Sequence, residues 1–274
     1  MRRNSMVRNF LNIHKAAAVL FTAVLVPAAL SACTGTAVRT LSDIKSKGEI
    51  IMLTNATFEP FEYISGGKVA GADVDLAQLV ADEIGVQLTV IDMDFDLLVD
   101  ALKSGKGDFI AAGMTATEER AKSVDFSAVY VSNGLLVIVP ADSALTVEDL
   151  DGKRTERRLR VAVQEGTTSD DYATDELAGA DVMRFKDAVA VGSAVQSGKA
   201  DAALLDIKPA EGVVANSGGT LKLLPEQVTE EDTCMAVAKG NKELLEVINK
   251  VLIQAISEGT VDALIEKHME LTTK

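Results

Sequence analysis

The chain reads as an α/β protein built from two similar units, each a mostly parallel sheet flanked by helices, with a cleft between them. Three observations lead there. Short apolar runs of strand length alternate with amphipathic, helix-length segments from residue 41 onward. The order helix, strand, turn, helix, strand occurs twice. Each copy also delivers a strand to a glycine, hydroxyl residues and a helix start, at residues 108–120 and again at 161–170.

The chain has 274 residues, 47% of them hydrophobic, which is enough for two domains. A formal net charge of −14 argues against nucleic acid as partner, because phosphate neutralisation needs a basic face. The first 32 residues differ from the rest. Arg2, Arg3, Arg8 and Lys15 precede an uncharged run over 16–30, and the segment has no acid. A basic region followed by such an apolar run is the pattern of a secretory signal. As a helix the run would reach only about 22 Å, short of the roughly 30 Å of a bilayer core. Leu30-Ser31-Ala32-Cys33 then resembles the bacterial lipobox, which implies cleavage before Cys33 and acylation of its sulfur. Loss of residues 1–32 removes four of the 27 basic residues and no acid, taking the net charge from −14 to −18. Cys234 is the only other cysteine, so no intramolecular disulfide is available.

Residues 33–40 read as a small, polar tether. A short helix over 41–47 ends at Gly48, and 50–54 is an apolar strand. It leads into Asn55, Phe58, Pro60 and Phe61, where Pro60 enforces an extended or turned path. Phe58 and Phe61 can pave a ligand site or plug a core edge. The next helix ends at Gly85, with Leu76, Leu79, Val80 and Ile84 on one face and Asp75 as candidate N-cap. A strand at 86–91 and a helix at 96–104 follow, the latter with Leu97, Leu98, Ala101 and Leu102 inward.

Strand 108–112 then meets Gly113 and Thr115, and Thr117 can cap a short helix over 118–124. Glu118 and Glu119 suit the positive end of that helix, whereas Arg120 does not. A close backbone, hydroxyls and a misplaced guanidinium point to a carboxylate or phosphate site. The alternative is a surface ion pair between Arg120 and a nearby acid.

In the second half, 135–139 is a strand and 147–152 a short helix and turn. Residues 154–160 hold four arginines, a solvated loop or a contact for an acidic partner or lipid head groups. Strand 161–163 delivers Gln164, Gly166, Thr167 and Thr168 to a helix beginning at Asp170. A helix over 186–197 turns Val189, Val191 and Val195 partly inward. Strand 199–206 ends on Asp206, at the carboxyl end of a buried strand, where open α/β sheets bind ligands; a helix N-cap acid is the competing reading. Strands at 222–224 and 235–238 precede a long amphipathic helix over 242–257 and a last helix over 261–268. A ligand shared by the two units would touch Arg120, the 166–169 turn and Asp206.

With these residues in view, the chain resembles the extracellular solute-binding proteins of polar amino-acid ABC transporters (bacterial family 3), in lipoprotein form. The likeness covers nearly all of residues 41–270 and is carried by Gly71-Ala72-Asp73-Val74-Asp75-Leu76, by 112–127, by Phe58 to Glu62 and by Ala200 to Asp206. Ala72 departs from the bulky residue usual there. The resemblance implies a two-lobed, type II periplasmic-binding-protein-like fold, with lobe 1 from 41–132 and 233–274 and lobe 2 from 133–232, after a signal peptide at 1–32. The hinge crossings would lie near 130–134 and 230–234.

By the same resemblance, Arg120 takes the ligand α-carboxylate, assisted by the backbone of Gly113 and Thr115, the Thr115 hydroxyl and the Thr168 N–H. Asp206 accepts from the α-ammonium. Phe58 and Phe95 sandwich the ligand side chain, with Asn55 and Gln164 at its far end and Leu205 also among its readers. The implied protein is an exported, monomeric receptor held by lipid on the outer face of the cytoplasmic membrane. It would deliver an amino acid to an ABC permease, without cofactor, metal or catalytic residue. Two alternatives remain: an enzyme on the same fold, of the cyclic-acid dehydratase kind, and a ligand sensor. Acid–base chemistry would need a carboxylate, since His268 is the only histidine after residue 32.

Overall fold

The computed structural model describes residues 38–273 except 154 and 155. The expected signal peptide, Cys33 and Arg154 lie outside the described residues. Thr40 caps α1 (Leu41–Lys47) with a capping box, and Gly48 ends it in the left-handed conformation. Arg39 is docked rather than part of a loose tether: its guanidinium forms an ion pair with buried Asp108, and its carbonyl accepts from Asn241 Nδ2 at 3.0 Å.

The first pass of the chain gives β1 (Glu49–Thr54), a small antiparallel sheet of β2 (Thr57–Phe58), β3 (Glu62–Ser65) and β4 (Lys68–Ala70), then α2 (Ala72–Ile84). Helix α2 starts one turn earlier than an Asp75 cap would place it. Gly71 is its N-cap, at φ 140°, where a Cβ would lie 2.0 Å from the Phe61 carbonyl oxygen. Asp75 instead pairs with Lys267 at 2.7 Å and His268 at 3.0 Å. Next come β5 (Gln87–Asp92), α3 (Leu98–Lys103), β6 (Phe109–Ile110), α4 (Glu118–Ala121) and β7 (Val124–Phe126). A 3-10 turn, Phe95–Leu97, precedes α3, so Leu97 is 51% exposed rather than inward.

The chain continues through β8 (Val131–Asn133), β9 (Leu135–Pro140), β10 (Arg160–Gln164), α5 (Thr168–Glu176), β11 (Asp181–Phe185), α6 (Ala188–Gln196), β12 (Ala202–Asp206), α7 (Ile207–Ala215) and β13 (Leu221–Leu223). It returns through β14 (Glu231–Thr233) to β15 (Ala236–Ala238), α8 (Lys242–Ser257) and α9 (Thr260–Thr272). In α6, Val191 and Val195 are buried while Val189 faces outward. In α8, Leu244, Ile248, Val251, Leu252 and Ala255 form the buried row that its 3.6-residue period requires.

Two five-stranded sheets result, ordered β5-β1-β6-β15-β7 and β11-β10-β12-β9-β13. In the first, β15 runs against both neighbours; in the second, β9 does. The other four strands of each sheet share one direction, so both are mostly parallel and carry helices on their faces. Between the sheets, β8 pairs with β14 antiparallel, Val131 opposite Thr233 and Asn133 opposite Glu231. Of the described arginines in this segment, Arg157 and Arg160 both bind Asp201, and Arg158 pairs with Asp181.

Candidate functional site

The carboxyl ends of the parallel strands converge on one cavity, lined by Asn55, Phe58, Phe95, Gly113, Thr115, Arg120, Gln164, Thr167, Thr168 and Asp206. Nine of the ten residues that the resemblance implied lie around it, and Thr167 completes the lining. Leu205 does not reach it. Successive residues of a strand face opposite ways, so with Asp206 toward the cavity, Leu205 packs into the core, 2% exposed.

Among the described residues Arg120 makes no ion pair, which argues against the surface-pair reading. Its Nη1 donates to the Thr115 carbonyl at 2.7 Å and its Nη2 to the Gly166 carbonyl at 3.0 Å, across from the other sheet. The guanidinium carbon lies 5.2 Å from the Phe95 ring centroid. Burial pushes its pKa down, and Asp171, Asp206 and Glu231 oppose that shift. Thr117 caps α4 through the Arg120 N–H, and with only four residues this helix serves to orient the side chain.

Gly113 contributes space rather than a donor. Its N–H bonds to Asp73 Oδ2 at 2.9 Å, and at φ +55° a Cβ there would come 2.8 Å from the Phe58 ring. Phe58 therefore both paves the cavity and packs on Phe61, with ring centroids 6.1 Å apart. Asp73 also accepts from the Tyr130 hydroxyl at 2.7 Å, just before β8. Beside it, Glu62 is fully buried with neither oxygen in hydrogen-bond geometry. Burial, then the Asp73 charge, holds Glu62 well above the usual carboxylate range, while burial raises Asp73 to about 6.

The Thr115 hydroxyl is engaged elsewhere than expected. It donates to Glu231 Oε2 at 2.6 Å, and the Thr168 hydroxyl donates to the same oxygen at 2.8 Å. Glu231 was not singled out from the sequence. It lies on β14, more than 60 residues from either threonine, and the β8–β14 pairing brings it there. Among the described residues, the backbone N–H groups of Thr115 and Thr168 have no hydrogen-bond partner. Asp170 Oδ2 accepts the Gly166 N–H at 3.2 Å, so the acid following the second junction binds its turn.

Asp206 stands at the N-cap position of α7 but makes no side-chain cap bond. Asn133 Nδ2 donates to one of its oxygens at 2.6 Å, and the other has no hydrogen-bond partner among the described residues. Burial raises its pKa to about 8, with Glu231 adding to the rise; Asn133 and Arg120 act against it. The cavity thus has one pole of free donors, at Arg120 and the Thr115 and Thr168 N–H groups, and one free carboxylate oxygen. Among the described residues there is no cluster of His, Cys, Asp and Glu fit for a metal ion.

Two mostly parallel sheets joined by a two-stranded crossing, with a cavity between them that holds Arg120 and Asp206, define the two-lobed type II binding-protein fold. The family model for bacterial extracellular solute-binding proteins, family 3, matches residues 50–270, and the chain belongs to that family. It is 32% identical over 254 residues to the arginine-binding extracellular protein ArtP of Bacillus subtilis, covering 91% of this chain and 96% of ArtP. A crystal structure of a mutant of ArgBP from T. maritima superposes with a TM-score of 0.77 at 38% identity, covering 84% of this chain and 99% of that one. The ancestral amino acid-binding protein AncCDT-1, a precursor of cyclohexadienyl dehydratase, gives a TM-score of 0.75 at 34% identity, with 84% and 99% coverage.

Proposed function

We propose that this protein is a receptor that closes two lobes on the zwitterionic head of a polar amino acid and presents it to an ABC permease. The carrying observation is the polarity of the cavity: free donors at Arg120, Thr115 and Thr168 against a free oxygen of Asp206. In this reading Arg120 and the two N–H groups take the α-carboxylate, and Asp206 takes the α-ammonium. Phe58 and Phe95 cover the side chain, Asn55 and Gln164 face its far end, and Gly113 leaves the room. A charge-assisted hydrogen bond contributes about 1.5–3 kcal/mol. Three or four of them, less the cost of ordering two lobes, are in scale with the roughly −8 kcal/mol of micromolar binding.

The lobes would comprise 41–132 with 233–274, and 133–232, hinged at the β8–β14 ribbon. The arginine-binding relatives support an amino-acid ligand. The segment 1–33 supports export with a lipid anchor at Cys33, outside the cytoplasmic membrane. A thermal-shift screen against the common L-amino acids tests the receptor reading, since a ligand that binds only the folded state raises the melting temperature. No shift with any of them would refute it. The likeness to AncCDT-1 and the raised Asp206 pKa favour a second reading, a dehydratase using that carboxyl as acid. Turnover of a cyclic acid that is abolished in Asp206→Asn would establish it.

A further inference from the structure

The far end of the cavity carries its own hydrogen-bond pattern. Gln164 donates both Nε2 hydrogens, to Asn55 Oδ1 at 2.8 Å and to the Lys186 carbonyl at 3.1 Å. Asn55 Oδ1 also accepts from Thr57 Oγ1 at 2.9 Å, and Asn55 Nδ2 donates one hydrogen to the Met93 carbonyl at 2.9 Å. These partners fix both amide orientations. Reversing Gln164 would set its oxygen against two oxygens, and reversing Asn55 would do the same at Met93. What remains is one acceptor, Gln164 Oε1, and one donor, the second hydrogen of Asn55 Nδ2. Both side chains are buried, and the only charged residues lining the cavity among those described are Arg120 and Asp206.

We propose that the Asn55–Gln164 pair selects an amino acid whose side chain ends in a primary carboxamide, glutamine or asparagine. The inference rests on the amino-acid reading above, in which Arg120 and Asp206 are occupied by the α-groups. A carboxamide offers one oxygen and one NH₂ on a single carbon, matching the free donor and the free acceptor. A carboxylate would set an oxygen against Gln164 Oε1. A guanidinium would satisfy that oxygen but face the Asn55 N–H and find no anion, and buried charge without a partner is strongly disfavoured.

Isothermal titration of the purified protein with L-glutamine, L-asparagine, L-glutamate, L-arginine and L-histidine tests this. The expected result is that glutamine or asparagine binds at least about 30-fold more tightly than the other three. Arginine, histidine or glutamate binding as tightly as the better amide would overturn the inference while leaving the receptor reading intact. If none of the five binds, this inference falls, and the receptor reading falls with it only if the thermal-shift screen of the common L-amino acids is also blank. Gln164→Glu, which places an anion at the far end, is expected to move the arginine-to-glutamine preference toward arginine by about 10-fold or more. An unchanged ratio would overturn the proposal; if the variant does not fold, the wild-type ratios decide.

Discussion

The two glycine–threonine junctions share a backbone plan and leave different groups free. At Gly113–Arg120 the helix has four residues, the glycine N–H is held by Asp73, and the usable donors are a guanidinium and the Thr115 N–H. At Gly166–Thr168 the helix has nine residues, Asp170 holds the glycine N–H, and the free donor is the Thr168 N–H at its first turn. One half-site supplies a full charge, the other a dipole end. A carboxylate lying between them would gain most of its Coulomb energy from the first lobe and its geometry from both. Neither half alone accounts for an anion site, because Arg120 leans on the Gly166 carbonyl of the opposite sheet.

Removing the charge is the strongest way to break this asymmetry. Arg120→Ala should weaken amino-acid binding about 100- to 1000-fold, the scale for losing one partner of a buried charge pair. It should change the ligand-free melting temperature little, since Arg120 has no ion pair among the described residues; titration calorimetry and a melting curve check both. Asp206→Asn, at the opposite pole, should cost about 100-fold in affinity yet raise the ligand-free melting temperature. The sign follows from the raised pKa of about 8 against an ordinary value of 3.8. A raised folded-state pKa contributes stability below pH 4 that is lost as pH rises through about 8. The variant's advantage should therefore be larger at pH 8.5 than at pH 5.

The second junction predicts a smaller effect. Thr168→Pro removes the N–H at the first helical position, where proline is tolerated, and Thr167 already has the extended ψ of 170° that proline demands before it. Affinity should fall about 10-fold with the fold retained. Thr168→Val keeps the N–H and loses only the Glu231 contact, so a larger loss for valine than for proline would reverse the assignment. Smallest is the pH effect. An α-ammonium should draw the Asp206 proton off, so binding at pH 7 should release protons and affinity should rise from pH 6 to 8. Titrations in buffers of different ionisation enthalpy would show it.

Much of this was legible in the sequence where the signal is local. The α8 row, the glycine-ended helices and both junctions follow from periodicity, cap chemistry and turn residues. Short helices were read less well. Leu97 and Val189 face solvent because a helix of one or two turns leaves the phase of its apolar face poorly defined. The sequence reading places no helix between Asp206 and the strand at 222–224, where the structure has α7, with Pro209 and Gly212 inside it. Pro209 sits in the first turn, where its missing N–H costs nothing. The site residues could be named, but not all their roles. That the Gly113 N–H belongs to Asp73, and the Thr115 hydroxyl to Glu231, depends on contacts 40 and 116 residues apart.

The central claim, a carboxylate gripped from both lobes, is tested most directly by titrating the wild-type protein with the L-amino acid giving the largest thermal shift and with its α-amide. The amide keeps the ammonium and side chain but removes the anion. The account predicts at least a 100-fold loss, about 2.7 kcal/mol, for the amide in the wild type and little further loss in Arg120→Ala. Equal affinity of wild type for the acid and the amide would contradict it.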